Sequence, residues 1–220
     1  MIEPEQDATA SVHRRLRVVS ILGAAEECGL SPLPAQQVHA IAYFADALAP
    51  VGGLRILDGR VLKESEGPRS TALQREIDWL VGRGVLVASS VRHRQGEGGK
   101  WRIHADYQLN EALALPILEA ASEFESLFLE LRFLREVVFA MSGFGVIGIA
   151  SASASDAAYG DKAVDFGSLV YVQGEGSEPN QTSRVALRIG ELLAPELKLT
   201  DAEKIHLYVR ELGRRLVQVA

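Results

Sequence analysis

The chain has one cysteine, Cys28, in 220 residues. A lone cysteine excludes an intramolecular disulfide framework and a multi-cysteine metal site, and it fits a reducing, cytoplasmic compartment. Long apolar runs are missing as well. The longest, VVFAMSGFGVIGIA at 137–150, is about 14 residues against the roughly 20 a membrane helix needs. Arg132, Arg135 and Glu136 stand just before it, and it reads as buried protein with no place in a membrane. The opening residues MIEPEQDATAS are acidic and polar, without the basic start and apolar stretch of an export signal. Residues 1–11 are expected to be a flexible tail. Internal repeats are absent.

Excess positive charge is also lacking. The formal net charge is −6, so the field of the whole chain offers phosphate no attraction. The charge is uneven. Residues 1–110 carry 13 Lys/Arg and 13 Asp/Glu, whereas residues 111–220 carry 10 and 16. Any nucleic-acid contact has to come from a local basic patch.

Catalytic and cofactor signatures are missing too. The five histidines, at 13, 39, 93, 104 and 206, never approach metal-ligand spacing, and no H-E-x-x-H occurs. Ser177 in GEGSEP lacks the G-x-S-x-G elbow and reads as turn chemistry. The pairs Glu26–Glu27 and Glu64–Glu66 do not converge from one helix face. GFGVIG matches G-x-G-x-x-G at Gly143, Gly145 and Gly148, with Asp165 at nearly the offset of a ribose-binding acid. A dinucleotide site needs a strand before and a helix after, yet the preceding segment reads as helix. Close backbone packing is the better account of these glycines. No enzyme activity, metal or cofactor is expected.

What the sequence does have is helical periodicity and one strong strand pattern. Leu16, Val19, Leu22 and Ala25 make a first helical stripe, with Gly29 as its C-terminal cap. Val38, Ile41, Ala42, Ala45 and Leu48 make a second after Pro34. The pieces LRIL and RVL around Asp58-Gly59 read as short extended segments. Leu73, Ile77, Leu80 and Val81 make a third stripe, opened by a Thr71/Gln74 capping box and closed at Gly84. A hairpin follows at once. Trp101, Ile103, Ala105, Tyr107 and Leu109 alternate with Arg102, His104, Asp106 and Gln108, so one strand face should be buried and anchored by Trp101, Ile103 and Tyr107. Three helices followed by a hairpin is the element order of a winged helix-turn-helix.

The expected fold is therefore mainly α with a small β-hairpin. A winged-helix domain at 12–110 is followed by a helical C-terminal region at 111–220 packed on it. In that region Phe124, Leu127, Phe128, Leu131, Leu134 and Val138 line one side of a long helix, with Pro116 marking an early break or kink. LVYVQ reads as a strand, and two further helices close the chain. The last has a Thr200/Glu203 capping box and an apolar side of Ile205, Leu207, Tyr208, Leu212 and Leu216.

The candidate contact residues are basic. Arg69 and Arg75 belong to the third helix, and Arg92, His93, Arg94, Lys100 and Arg102 surround the hairpin tip. These two elements of a winged helix can face one groove. Glu76 and Asp78 on the third helix weigh against base reading. A solvated tip, a backbone contact to double-stranded DNA and a contact to protein all stay open.

Three stretches, VSILGAAEECGLSPLPAQQVHAIAYFADALAPV, LKESEGPRSTALQREIDWLVGRGVL and LTDAEKIHLYVRELGRRL, resemble the middle components of bacterial ABC-three-component systems. That group includes the small subunit of Lamassu-type anti-phage defence. The resemblance covers roughly residues 12–217 and rests on helix patterning and short runs such as Gly67-Pro68 and Leu207-Tyr208-Val209-Arg210. It implies a non-catalytic winged-helix subunit that joins an SMC-like ABC ATPase to an effector, often a nuclease. The competing reading is a free-standing winged-helix transcription regulator or antitoxin-like repressor.

Overall fold

The computed structural model describes residues 4–95, 101–173, 179–193 and 198–219. The fold is mainly helical with small antiparallel sheets. Helix α1 (Pro4–Glu27) ends at Gly29, whose φ of +69° lets the Leu30 amide reach back to the Ala25 carbonyl at 2.8 Å. This is the left-handed closure expected of a glycine past a helix end. From Pro4 onward, the residues read as a tail belong to the first turns of α1.

After the short strand β1 (Leu33–Pro34) comes α2 (Ala35–Leu48), with Pro34 as the residue before its first turn. Every residue of α2 from Gln37 to Leu48 is buried. The stripe Val38, Ile41, Ala42, Ala45 and Leu48 is only part of its packed surface. The helix is a central post, and its five alanines let neighbours approach from all sides.

A 3₁₀ turn at Ala49–Gly52 leads to β2 (Arg60–Glu64) and β3 (Gly67–Arg69). RVL is thus strand, while LRIL is not. In α3 (Thr71–Gly82) the N-cap is Ser70, whose Oγ accepts the Leu73 amide at 3.1 Å. The expected Thr71/Gln74 box does not form: the cap lies one residue earlier, and Gln74 meets His39 on α2. Gly84, with φ +72°, ends α3 as expected.

The hairpin pairs β4 (Leu86–Gln95) with β5 (Trp101–Leu109), and β1 adds along β5 to give the sheet order β1-β5-β4. A bulge between Ser89 and Arg92, with Ser90 at φ +51°, breaks the regular alternation. Ala105, Tyr107 and Leu109 are buried as expected, but Trp101 is 70% and Ile103 62% exposed. Only the stem of the hairpin packs on the body. Its distal half reaches past the core, so Tyr107 anchors it and Trp101 and Ile103 do not.

The second half begins with α4 (Glu111–Ser122) and α5 (Glu125–Ser142). The break falls at Glu123–Phe124, and Pro116 sits inside α4, so of the two roles expected of it the break is excluded. The core seam of α5 is Phe133, Leu134, Val137, Val138 and Met141. Phe124 and Phe128, expected on that seam, are exposed. Helix α6 (Gly145–Ala152), strand β6 (Leu169–Tyr171), α7 (Gln181–Leu193) and α8 (Asp201–Val219) complete the chain. The Thr200/Glu203 box is present: the Thr200 amide donates to Glu203 Oε2 at 2.7 Å and the Glu203 amide to Thr200 Oγ1 at 3.3 Å. Strand β6 pairs with β2 in a second sheet of order β3-β2-β6, so strands from both halves share one ladder. One hydrophobic core runs through both halves. No single helix among the described residues is long and apolar enough to cross a membrane.

Candidate partner and nucleic-acid interface

Of the seven basic candidates, the structure gathers some and separates others. Arg92 faces His104 across the hairpin and His93 faces Ile103. Arg92 and His104 line a hollow of about 150 Å³ with Ser90, Asp106, Pro34 and Gln36. On its other side His104 shares a crevice with Arg69, His39, Glu64 and Glu66. Arg69 ends β3 and does not belong to the third helix as expected; it and Arg92 lie around the N-terminus of α2, with acids among them: His104 Nε2 is 4.0 Å from Glu66 Oε2. Arg75 is exposed on the outer face of α3 and lines neither hollow. Arg94 and Arg102 are cross-strand partners by backbone register. Their side chains, and Lys100 altogether, lie outside the described residues.

The outer face of α3 is not a bare row of donors. Trp79 is partly exposed and sits between two guanidinium groups, Arg15 at 3.8 Å and Arg83 at 5.0 Å from its ring. Arg15 Nε also donates to Glu76 Oε2 at 2.5 Å, and Gln74 donates to Asp78 at 2.9 Å. An exposed Trp stacked on arginine is the composition that dominates protein–protein contacts. Sequence reading passed over Trp79, since its two cationic neighbours come from a distant helix and from a helix end.

A second surface lies on α4 and the start of α5. Helix α4 buries only Ala114, Ala121 and part of Leu118. Leu118 Cδ1 approaches Gly23 of α1, where an added Cβ would stand 3.3 Å away. The remaining large apolar residues, Leu113, Leu115, Ile117, Phe124, Phe128 and Leu129, are 39–62% exposed.

A cleft of about 950 Å³ runs between α1, the loop 54–57 and α5. Its polar wall is an ion network. Arg17 Nη1 donates to Asp46 at 2.6 Å and Nη2 to Glu130 at 3.2 Å, while the Leu57 and Asp58 amides also donate to Asp46. Burial pushes the Asp46 carboxyl up, and Arg17 opposes that rise. The charges pair with one another, while buried Arg17 Nε finds no hydrogen-bond partner among the described residues, and the network reads as a joint between α1, α2 and α5.

Other chemistry finds little support in the geometry. No group of three or more His, Cys, Asp or Glu among the described residues could hold a metal ion. Burial pushes the Cys28 thiol up, away from thiolate reactivity. Gly143 and Gly145 join helix α5 to helix α6 with no strand before them, so the glycine motif stands outside any βαβ unit. An added Cβ on Gly148 would lie 3.0 Å from Phe144, in keeping with close packing. Compared with known proteins, the chain matches no protein family, no curated protein and no solved structure, so its function has to be argued from these surfaces.

Proposed function

We propose that this protein is a non-catalytic winged-helix assembly subunit, bridging an SMC-like ABC ATPase and an effector nuclease in a bacterial anti-phage defence complex. The observation that carries the assembly role is the row of large apolar side chains that α4 and α5 leave in solvent. Apolar surface of that kind on a soluble chain marks contact with another macromolecule. The winged-helix reading is supported by the order α1-β1-α2-α3-β4-β5 with sheet order β1-β5-β4. The hairpin β2–β3 is then an insertion between the second and third helices. The resemblance of the sequence to the middle components of ABC-three-component systems supplies the identity of the partners.

A free-standing DNA-binding regulator is the second reading, favoured by exposed Arg75 on α3 and by Arg92 on the hairpin. Trp79 held between Arg15 and Arg83 fits a protein contact better than a major groove. Expression from the native operon with a tag on this chain, followed by mass spectrometry of what co-purifies, separates the two. An ATPase and an effector in stable ratio with the chain are the expected result. Isolation of the chain alone, with tight binding to its own promoter DNA, would favour the regulator. Replacing Arg92, Arg94 and Lys100 by Ala should lower salt-sensitive DNA binding by the complex, and unchanged binding would remove the hairpin from any DNA contact.

A further inference from the structure

Helix α4 is apolar on nearly every side: Ala112, Leu113, Ala114, Leu115, Pro116, Ile117 and Leu118 follow one another. A helix apolar all round is ordinarily a buried one. Here only a narrow seam is covered: Leu113 and Ile117 remain in solvent on one flank of it, and Leu115, with Glu111 and Glu119 a turn away on either side, on the other. The adjoining corner adds Phe124, Phe128 and Leu129.

Along the chain the charge over α4 and the α4–α5 corner has one sign, and the nearest cations are exposed Arg132, one turn past Phe128, and Arg83, next to the Gly84 that Leu113 approaches. Between Arg102 and Arg132 there is no Lys or Arg, while Asp106, Glu111, Glu119, Glu123, Glu125 and Glu130 fall in that stretch. Glu130 is engaged by Arg17. Glu111, Glu119, Glu123 and Glu125 are exposed, and none meets a cation among the described residues. An apolar surface rimmed by unpaired carboxylates is complementary to an amphipathic helix with Leu-like residues on one face and Lys or Arg beside them. A second copy of this chain fits poorly, because a two-fold contact would set the acidic rim against itself. An anionic lipid surface would be repelled in the same way.

From this charge pattern we infer that the Leu115 side of α4 and the α4–α5 corner form the docking surface for a cationic amphipathic helix of a partner protein. The inference rests on the assembly role proposed above and specifies the partner's chemistry. The 12 residues of α4 span about 18 Å, enough to seat roughly three turns of such a helix.

The test uses the full chain and two dye-labelled synthetic helices, one with Leu on one face and Lys on the other, its counterpart with Glu in place of Lys, read by fluorescence anisotropy. The Leu/Lys helix should bind at least ten-fold tighter than the Leu/Glu helix. Leu115→Ser with Phe128→Ser, and separately Glu119→Lys with Glu123→Lys, should each weaken it ten-fold or more. Glu191→Lys, at an exposed position of α7, should leave it unchanged. All five sites are exposed, and circular dichroism would confirm that the variants fold. Equal binding of both helices would overturn the inference, as would insensitivity to the surface variants. So would tighter binding to phosphatidylglycerol vesicles than to the Leu/Lys helix, or concentration-dependent dimerisation abolished by the same variants. Co-purification from the operon separates this from the assembly reading. Surface variants that still retain the ATPase and effector sink the docking site alone, whereas a wild-type chain that retains neither but binds the Leu/Lys helix selectively sinks the assembly role alone.

Discussion

The imidazole of His39 is held between a donor and an acceptor. The Ser70 amide donates to Nδ1 at 3.3 Å, which leaves the proton on Nε2, and Nε2 donates to Gln74 Oε1 at 3.0 Å. Burial lowers its pKa to about 4, while the bond to Gln74 works the other way and nearby Arg69 adds to the lowering. A histidine whose folded value lies below its unfolded value near 6.5 binds its proton first in the unfolded chain. Its stabilising contribution is therefore complete above pH 6.5 and is lost as pH falls through 6.5 toward 4, by about 3 kcal/mol at most. Urea unfolding at successive pH values should show this loss, and His39→Asn should flatten the slope between pH 6.5 and 4. An unchanged slope would mean that His39 is not responsible. Nothing local predicted this role. The histidine sits 31 residues from Ser70 and 35 from Gln74, so its environment exists only once α2 and α3 meet.

Among the elements, α2 shows how far patterning reaches. Its apolar stripe is legible from spacing, but four polar residues on it are buried too, and each goes to a different neighbour. Gln37 accepts the Ala150 amide at 2.7 Å, His39 meets Gln74, Tyr43 donates to Asp156 at 2.5 Å and Asp46 accepts from Arg17. A polar residue in sequence reads as solvated until its partner is known, and two of these partners lie 113 residues away. Asp156 is the densest node. It also accepts from Tyr208 on α8 at 2.6 Å, from Thr182 on α7 at 3.0 Å, and from the Ala158 and Tyr159 amides. Burial and the adjacent carboxylate push both tyrosine hydroxyls well up, so they stay protonated donors. Asp156→Ala strands these donors in the core and should cost about 3–5 kcal/mol in chemical denaturation. Tyr43→Phe leaves the carboxylate its other donors and should cost about 1.5–3 kcal/mol. Equal costs for the two variants would contradict the node's assignment.

At the scale of the molecule, the two halves read from the sequence are joined more closely than an end-to-end arrangement requires. Strand β6 pairs with β2 through Arg60–Tyr171, Val61–Val170 and Leu62–Leu169. The buried residues Leu134, Val137, Val138, Met141, Tyr208 and Leu212 belong to the same core as Val18, Phe44 and Leu48. A fragment of residues 1–110 would lose one strand of the second sheet and expose much of α2. It is expected to give a poorly dispersed NMR spectrum and no cooperative thermal transition, whereas a sharp transition would show that the first half is self-sufficient.

The sequence by itself determined where most helices lie, the glycine closures after α1 and α3, the Thr200 cap and the alternation along β5. Each depends on residues within a few positions of one another, so periodicity and local hydrogen bonding suffice to specify them. Only the tertiary structure decided which periodic faces are covered. It left Trp101, Ile103, Phe124 and Phe128 outside and enclosed α2 entirely. It set Trp79 between Arg15 and Arg83, and it separated Arg75 from the basic residues around His104. Burial depends on which elements meet, and that depends on pairings across tens of residues that no local pattern encodes.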